Sequence, residues 1–299
     1  MNTERKSAHW KIVNSQQWEV NGITLGYALS EFSKKTLHQV GNENERVRLH
    51  FGLQGDYGFT YHQLNRSFDL AGGHHNLMYS KGIDLEIRNK TLVIETFGID
   101  FPRELFINFT REGADDLLKI FLEDIMAGKP VILSDPWGTI DINIQKIIDE
   151  IKLNPYEGSL KKIFLLAKAL ELLVLCIDHY HQIKKQTYTH IKTQHDKEKI
   201  IAARDFINSR ITDPPNLTEV AHSVGLNEFK LKSGFKEMFH NTLFEYLTQR
   251  RLNIAGQSLL DTDKTVAEIA HDLGYSSPQH FHLQFRKHMG MTPNQWRNK

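Results

Sequence analysis

The sequence predicts an α+β protein, with a β-barrel or β-sandwich in its N-terminal part and only helices in its C-terminal part. From about Ile12 to Phe109, short runs of β-branched and aromatic residues alternate with Gly and Asn, as in strands joined by turns. From Glu112 onward the apolar residues recur at helical spacing instead. The helical part also repeats one pattern twice, which favours two copies of the same small unit.

Four segments within residues 1–111 carry the strand prediction. They are ITLGYALSEF, RVRLHFGLQGDYGFTYHQL, FDLAGGHHNLMYS and TLVIETFGI. Many short strands separated by turn residues are typical of a sandwich or a small barrel. Residues 1–111 are therefore expected to form one β-rich domain.

Residues 112–184 are predicted to form a helical region. ADDLLKIFLEDIMAG ends at Gly128 and IDINIQKIIDEIKLNP is closed by Pro155, and both residues are common helix stops. A third helix, residues 159–183, is apolar nearly all round and so must be buried on more than one side. It either packs only on the β-rich domain or also forms the seam of a homodimer. The candidate seam residues are Phe164, Leu165, Lys168, Leu172 and Leu175.

A polar stretch of mixed charge, residues 185–198, is the best candidate for a linker, and residues 199–299 form a separate helical domain. That domain contains one pattern twice. The matched residues are Glu219 to His222 with Glu268 to His271, Gly225 with Gly274, Phe235 with Phe285, and Tyr246 with Trp296. Small Ala in the first helix and Gly in the turn are what a helix-turn-helix requires. The sequence therefore predicts two helix-turn-helix units, at about 217–239 and 266–288, joined by a helix from roughly Leu243 to Leu260.

The second unit resembles the second helix-turn-helix of AraC/XylS-family transcription regulators. The residues that carry the resemblance are Ile269-Ala270, Gly274-Tyr275, Phe281, Phe285-Arg286, Gly290, Thr292-Pro293 and Trp296-Arg297. The resemblance implies sequence-specific binding to double-stranded DNA, contact with RNA polymerase and activation of transcription. It also implies a cupin-like N-terminal domain, by architecture alone, that controls the protein through a small-molecule effector. Regulators of this layout respond to ferric siderophores, sugars or aromatic acids, and the residues select none of these.

Two such units on one chain would place their second helices in successive major grooves, about 34 Å apart. Amide and lysine side chains suit adenine and guanine edges, whereas cations near the back of a helix suit phosphates. The candidate base-reading residues are Phe229, Lys230, Lys232, Ser233, Gln279, His280 and His282, and the candidate phosphate contacts are Lys236, Arg286 and Lys287. Each of them could instead be simply solvated. Gly234 and the lack of a Pro after Thr242 set the first unit apart from the second.

The bulk composition agrees with an intracellular regulator. The net charge is +1, yet no acidic residue follows Asp272 while Arg286, Lys287, Arg297 and Lys299 remain. The N-terminus lacks the apolar segment of a secretion signal, and the most apolar run, residues 163–177, is too short and too charged to span a bilayer. We expect a soluble cytoplasmic protein that is not membrane-bound and is a homodimer.

Enzymatic function has little support in the sequence. There is no Gly-rich phosphate loop and no nucleophile elbow, and the single cysteine, Cys176, lies in the apolar helix and is expected in the core. His74 and His75 are adjacent on a predicted strand and so point to opposite faces, and His50 and His62 are isolated in sequence. We therefore expect a protein without enzymatic activity, metal or cofactor. The alternative hypothesis is a metal-binding cupin-type enzyme with an appended DNA-binding domain.

The candidate effector pocket consists of Tyr57, Tyr61, His62, His74 and Tyr79. Core packing is the alternative explanation for each of them. A regulator that needs no effector and whose N-terminal domain only dimerises is therefore the other hypothesis.

Overall fold

The computed structural model describes residues 10–185, 189–239 and 241–298, and the chain divides into two compact units. Unit 1 is Met1–Ile140 with Gly158–Gln186, and unit 2 is Asp141–Glu157 with Thr187–Lys299. The chain therefore passes from one unit to the other three times. We call Asp141–Glu157 the inserted segment. Three residues of the predicted linker, 186–188, lie outside the described residues.

Unit 1 is built on an antiparallel sheet. Its strands are β1 (Trp10–Val20), β2 (Ile23–Phe32), β3 (Leu37–Gln54), β4 (Tyr57–Tyr61), β5 (Arg66–Leu70), β6 (His74–Asn89), β7 (Val93–Pro102), β8 (Val131–Ile132) and β9 (Gly138–Thr139). The strand order is β1-β2-β7-β3-β6-β4-β5, and β8 and β9 pair with β6. Alternate residues of β3, such as Val47, Leu49 and Phe51, are fully buried, which is the period of two expected for a strand with one face in the core. In the described residues no pairing joins β1 to β5, so the predicted barrel is not closed.

The helices of unit 1 are α1 (Arg103–Thr110), α2 (Asp116–Met126) and α4 (Gly158–Lys185), and the inserted segment carries α3 (Ile142–Lys152). The prediction that strands continue to Phe109 is wrong, because the chain turns at Pro102 into α1 and buries Phe106 and Ile107. The single region predicted for residues 112–184 is also divided, because α3 packs within unit 2 and α2 and α4 belong to unit 1.

The long helix α4 has two different apolar faces. Leu165 and Leu172 are buried, and Cys176 lies on the same buried face, as expected for a core cysteine. Leu160, Ile163 and Val174, by contrast, are each more than 60% exposed. None of the helices in the described ranges is both long enough and apolar enough to cross a bilayer. The apolar composition of α4 thus reflects burial on one side and an uncovered stripe on another.

Unit 2 is helical outside the inserted segment as well. Its other helices are α5 (Gln194–Ser209), α6 (Leu217–Ser223), α7 (Glu228–Phe239), α8 (Leu243–Asp261), α9 (Val266–Asp272), α10 (Pro278–Met289) and α11 (Pro293–Arg297). Side chains of α5 to α8 form one core cluster, and side chains of α8 to α10 form a second, with Trp296 of α11 packed against it. The predicted connecting helix is α8, and it contributes to both clusters.

Both helix-turn-helix units turn at a glycine, as predicted. Gly225 between α6 and α7 has φ of 62°, and Gly274 between α9 and α10 has φ of 74°. This left-handed conformation strains any residue with a Cβ atom. At Gly274 a Cβ atom would also lie 2.4 Å from the carbonyl oxygen of Thr212. The second turn is therefore restricted to glycine both by backbone angle and by space.

Gly234, in the middle of α7, is explained by packing. A Cβ atom there would lie 2.9 Å from Cδ1 of Ile200 and 3.3 Å from Cγ1 of Ile191, and both isoleucines are buried. The helix loses about 1 kcal/mol of intrinsic propensity relative to alanine. Because Gly234 has no side chain, α7 can approach α5 more closely than a larger residue at this position would permit.

We expect Gly234→Ala to destabilise the protein, because overpacking costs about 1–3 kcal/mol and exceeds the gain in helix propensity. Gly256→Ala is the matched control: it is also a helical glycine, but its Cβ atom would lie 3.4 Å or more from its neighbours. That change should stabilise the protein by up to about 1 kcal/mol. Urea unfolding of both variants tests this, and a stabilised Gly234→Ala would contradict the packing explanation.

Candidate functional site

The second recognition helix, α10, separates a buried aromatic face from a polar one. Phe281 and Phe285 are fully buried, with their ring centroids 5.5 Å apart. The predicted contact residues Gln279, His280, Arg286 and Lys287 are exposed, and His282 is half-buried. The spacing of four between the phenylalanines thus places the polar residues on the outside, as the sequence analysis expected.

The first turn of α10 is held by local hydrogen bonds. Ser277 is the N-cap and accepts a hydrogen bond from the His280 N–H, and Pro278 follows it at a position that favours helix initiation. The Ser277 hydroxyl also donates to Oε1 of Gln279 at 2.8 Å. The Gln279 amide is therefore oriented by a neighbour at the start of the helix, where base edges are usually read.

Leu283 was not among the contact residues assigned from the sequence. It lies on the outer face of α10 and is 70% exposed, although it is a large apolar side chain. In the alignment of the two repeats it corresponds to Ser233, which is half-buried on α7. An apolar side chain at this position suits the methyl group of thymine. Its place on the side of α10 opposite Phe281 and Phe285 follows from helical spacing in the sequence.

The first recognition helix, α7, has the same division of faces. Leu231 and Phe235 are fully buried, whereas Phe229 is 69% exposed and packs edge-on against the ring of His190 at 5.6 Å. Lys232 and Lys236 are exposed as predicted. The outer face of α7 is therefore cationic, with one exposed aromatic ring at its N-terminal end.

Lys230 is engaged inside unit 2. Its Nζ atom lies 2.6 Å from Oδ1 of Asp196, whose other carboxylate oxygen accepts the backbone N–H groups of Lys192 and Thr193. The hydrogen bond from Lys230 holds the pKa of Asp196 at about 2, well below its usual value. Lys230 was predicted from sequence to read bases; in this structure its charge ties α7 to the start of α5.

The end of the predicted linker is also ordered against α7. The carboxylate of Glu237 accepts backbone N–H groups from Thr189, His190 and Ile191 at 2.6, 3.0 and 3.2 Å, and the Ile191 side chain is buried in the first core. Arg297, part of the cationic C-terminus, donates to carbonyl oxygens of Leu259 and Lys264. Residues 189–191 and Arg297 are thus held by hydrogen bonds to other parts of unit 2. Lys299, the last residue of the cationic C-terminus, lies outside the described residues.

In unit 1, a polar network joins residues that the sequence separates. Nε2 of His50 lies 2.6 Å from the Tyr57 hydroxyl, which lies 2.9 Å from Nε2 of His74. Nδ1 of His74 lies 2.5 Å from the carbonyl oxygen of Ala71 and must donate to it. Nε2 of a neutral His74 therefore accepts from Tyr57, and Tyr57 accepts from His50. His50 was read from sequence as isolated, and the pairing of β3 with β6 brings it here.

Trp137 covers this network from one side. Its ring contacts those of His50 and His74 with centroids 6.1 and 5.2 Å away, and its indole N–H is buried without a hydrogen-bond acceptor among the described residues. Burial is the main cause that lowers the pKa of His50 well below its usual value and raises that of Tyr57. The segment Asp135 to Gly138 thus supplies an aromatic wall.

The other candidate pocket residues lie elsewhere. Tyr61 is buried and donates to Ser80, Tyr79 is buried and donates to Glu45, and His62 is exposed. Of the predicted set, the structure therefore joins Tyr57 and His74 by a hydrogen bond, and the other three residues make different contacts; Tyr61 shares a core cluster with Tyr57.

His75 points to the opposite face from His74, as predicted for neighbours on a strand. Its ring lies 5.3 Å from those of His179 and Tyr180, and burial lowers its pKa well below the usual value. The Tyr180 hydroxyl donates to the His75 carbonyl oxygen and accepts from the Gly138 N–H. In the part of the chain that the structure describes, three or more His, Cys, Asp or Glu side chains do not converge on a metal site.

Comparisons with known proteins cover both halves of the chain. Residues 20–190 match the family described as the regulatory protein PchR N-terminal domain, and residues 220–299 match a family described as a helix-turn-helix domain. The regulatory protein SoxS of Salmonella typhimurium is 37% identical over 95 residues, which is 32% of this chain and 89% of that protein. The regulatory protein PchR of Pseudomonas aeruginosa is 31% identical over 176 residues, 58% of each chain. A solved transcriptional regulator of Chromobacterium violaceum, with an AraC-type DNA-binding domain, is 28% identical and covers 36% of this chain and 95% of its own, with a TM-score of 0.34.

We expect the stability of the protein to fall below about pH 6.5. His50 stays neutral in the folded state because its pKa is lowered, whereas in the unfolded chain it binds a proton near pH 6.5. Its contribution to the free energy of unfolding is therefore fully present above that pH and is lost as the pH falls. Each such histidine contributes a slope of about 1.4 kcal/mol per pH unit.

Urea unfolding between pH 5.0 and 7.5 measures this slope. His50→Gln, which keeps a donor toward Tyr57 but does not titrate, should make the dependence shallower by about one proton. His62→Gln removes an exposed histidine and serves as the control. The same slope in wild type and His50→Gln would contradict the prediction.

Proposed function

This chain belongs to the AraC/XylS family of transcription regulators, and on that premise we propose that α7 and α10 read two successive major grooves of one DNA site. It is a DNA-binding regulator, and its N-terminal half belongs to the PchR N-terminal domain family. The observation that carries the proposal is the division of faces that α7 and α10 share. Each helix buries two apolar side chains four residues apart and presents a polar, cationic outer face.

The outer residues divide into two roles. Gln279, at the start of α10, is proposed to read an adenine through its amide, and Lys232 to read a guanine. Lys236 and Arg286 occupy matching positions near the back of each helix, where contact with phosphate fixes register without reading sequence. Phe229, Ser233, His280 and His282 are proposed as further groove contacts, and Leu283 joins them on the grounds of its exposure. Lys287 is proposed as a phosphate contact.

The first experiment is selection from a random double-stranded DNA library by the full-length protein without added ligand. We expect enrichment of a site with two elements about one helical turn apart. In the same selection Gln279→Ala should lose preference at one base position. Arg286→Ala should keep the selected sequence but bind every DNA more weakly, with a flatter dependence of affinity on salt.

Lys119→Ala, at an exposed position on α2 of unit 1, is the control for loss of one positive charge. If Gln279→Ala and Arg286→Ala both weaken binding to specific and to random DNA equally, the assigned roles are wrong. If the wild-type protein enriches no sequence, two-groove reading without a ligand is wrong.

Effector control is proposed for the network of His50, Tyr57 and His74 beneath Trp137. The indole N–H of Trp137, which has no acceptor among the described residues, suits an acceptor group of a ligand, and the surrounding rings suit an aromatic or apolar body. A ligand acts as an effector only if it binds the DNA-competent and DNA-incompetent states with different affinities. Activation through RNA polymerase is implied by family membership, and transcription in vitro from the selected site measures its sign.

A homodimer is proposed to form through an exposed stripe on α4. The stripe follows a spacing of three and four residues, which is the repeat of a coiled-coil seam. It consists of Leu160, Ile163, Ala167, Leu170, Val174 and Ile177, the first three and Val174 exposed and the other two half-buried. Of the seam residues suggested by sequence, Leu165 and Leu172 are buried, while Phe164, Lys168 and Leu175 are half-buried beside the stripe.

We expect the double variant Ile163→Asp with Val174→Asp to be a monomer. Burying two carboxylates of each chain would cost more free energy than the apolar contacts of the seam contribute to dimerisation. Ile120→Asp is the matched control, since Ile120 is 63% exposed on α2, outside the stripe. Sedimentation equilibrium of the wild type and the variants measures the mass. Dimers of equal stability in the wild type and the double variant would exclude this seam.

A further inference from the structure

The inserted segment belongs to the DNA-binding unit although its flanking residues belong to unit 1. Its helix, α3, starts at the N-cap Asp141, whose side chain accepts the N–H groups of Asn143 and Ile144 at 2.9 Å. One face of α3 then buries Ile144, Ile147, Ile148 and Ile151. Such a face needs a partner, and Ile142 at its start packs against the core of the first helix-turn-helix.

Asp149 is the one acidic residue on the buried face of α3. It is 8% exposed, and its Oδ2 atom accepts a hydrogen bond from Nδ2 of Asn253 at 2.6 Å and lies 3.4 Å from Nη1 of Arg250. Its Oδ1 atom accepts from Gln145 at 3.0 Å. A carboxylate is buried at this level only when it is paired and hydrogen-bonded. Three side chains, those of Asn253, Arg250 and Gln145, thus converge on the Asp149 carboxylate.

The place of this contact on α8 is what gives it a function. Leu243, Tyr246 and Leu247 of α8 belong to the core of the first helix-turn-helix, and Leu252, Ala255 and Leu259 belong to the core of the second. Arg250 and Asn253 lie where α8 changes from one core to the other. Any bend or rotation of α8 at this point would change the spacing between α7 and α10.

We propose that Asp149 is a positioning residue for DNA recognition: by holding Arg250 and Asn253 it keeps α8 in the conformation that sets both recognition helices in phase with successive grooves. The inference rests on the proposed two-groove reading. The positioning acts through α8, since Asp149 itself has no place on the outer faces of α7 and α10.

The test compares DNA that carries both selected elements with DNA that carries only one. In the full-length protein, Asp149→Asn should bind two-element DNA about tenfold more weakly and single-element DNA with unchanged affinity, as measured by fluorescence anisotropy. Loss of a negative charge by itself would strengthen DNA binding, so the expected change has the opposite sign. Glu150→Gln removes the neighbouring negative charge on α3 and measures that electrostatic effect alone.

A second variant separates positioning from folding. Combining Asp149→Asn with Asn253→Asp exchanges the amide and the carboxylate, keeps a hydrogen bond across the contact and leaves the carboxylate near Arg250. This exchange should restore the affinity for two-element DNA. Equal loss by Asp149→Asn on both DNAs, or no loss on either, would overturn the proposal.

Hydrogen exchange distinguishes failure of this inference from failure of the proposed function. In Asp149→Asn the amides of residues 142–152 should exchange faster than in the wild type, whatever DNA the protein binds. Unchanged exchange in that helix would overturn the inference on its own. If the wild-type selection yields no two-element site, the proposed two-groove reading fails instead. That outcome is known before an Asp149 variant is made.

Discussion

One helix, α8, has to satisfy two hydrophobic cores at once, and the arrangement of the DNA-binding unit depends on this. Its first half contributes Leu243, Tyr246 and Leu247 to one core, and its second half contributes Leu252, Ala255 and Leu259 to the other. Because an α-helix rises a fixed 1.5 Å per residue, the two recognition helices inherit a fixed separation and phase. Protein interiors are densely packed, so neither core can shift along α8 without leaving a cavity. The proposed recognition of two grooves would thus depend on the packing of α8 before it depends on the exposed side chains.

The sequence was sufficient to predict the helical half because its signals are local. The turn glycines Gly225 and Gly274, the helical spacing of apolar residues and the helix stops all act within a few residues. The sheet was harder to predict, since its pairings join residues far apart. The network of His50 with His74 exists only because β3 pairs with β6, and no spacing in the sequence indicates that register.

Side-chain roles were predicted less well where one residue can make two kinds of contact. Lys230 lies on the outer half of α7 by helical periodicity, but its long side chain reaches back to Asp196. Leu165 and Leu172 are apolar and regularly spaced, which is equally typical of a dimer seam and of packing within one chain. Only burial separates these cases: both leucines are buried while Leu160 and Ile163 on the same helix are exposed. The apolar content of a helix therefore does not reveal which of its faces is already covered.

The threefold passage of the chain between the units limits how this protein can be divided. A fragment that begins at the linker near residue 190 would contain α5 to α11 but would lack α3, whose isoleucines are buried within the same unit. The cut would expose the surface that α3 covers and leave Arg250 and Asn253 without the Asp149 carboxylate. Chimaeras that join the C-terminal domain of one regulator to the N-terminal domain of another at the linker would thus combine an α3 with an α8 that did not evolve together. In this protein the boundary between the two units lies in three-dimensional space and not at one point of the sequence.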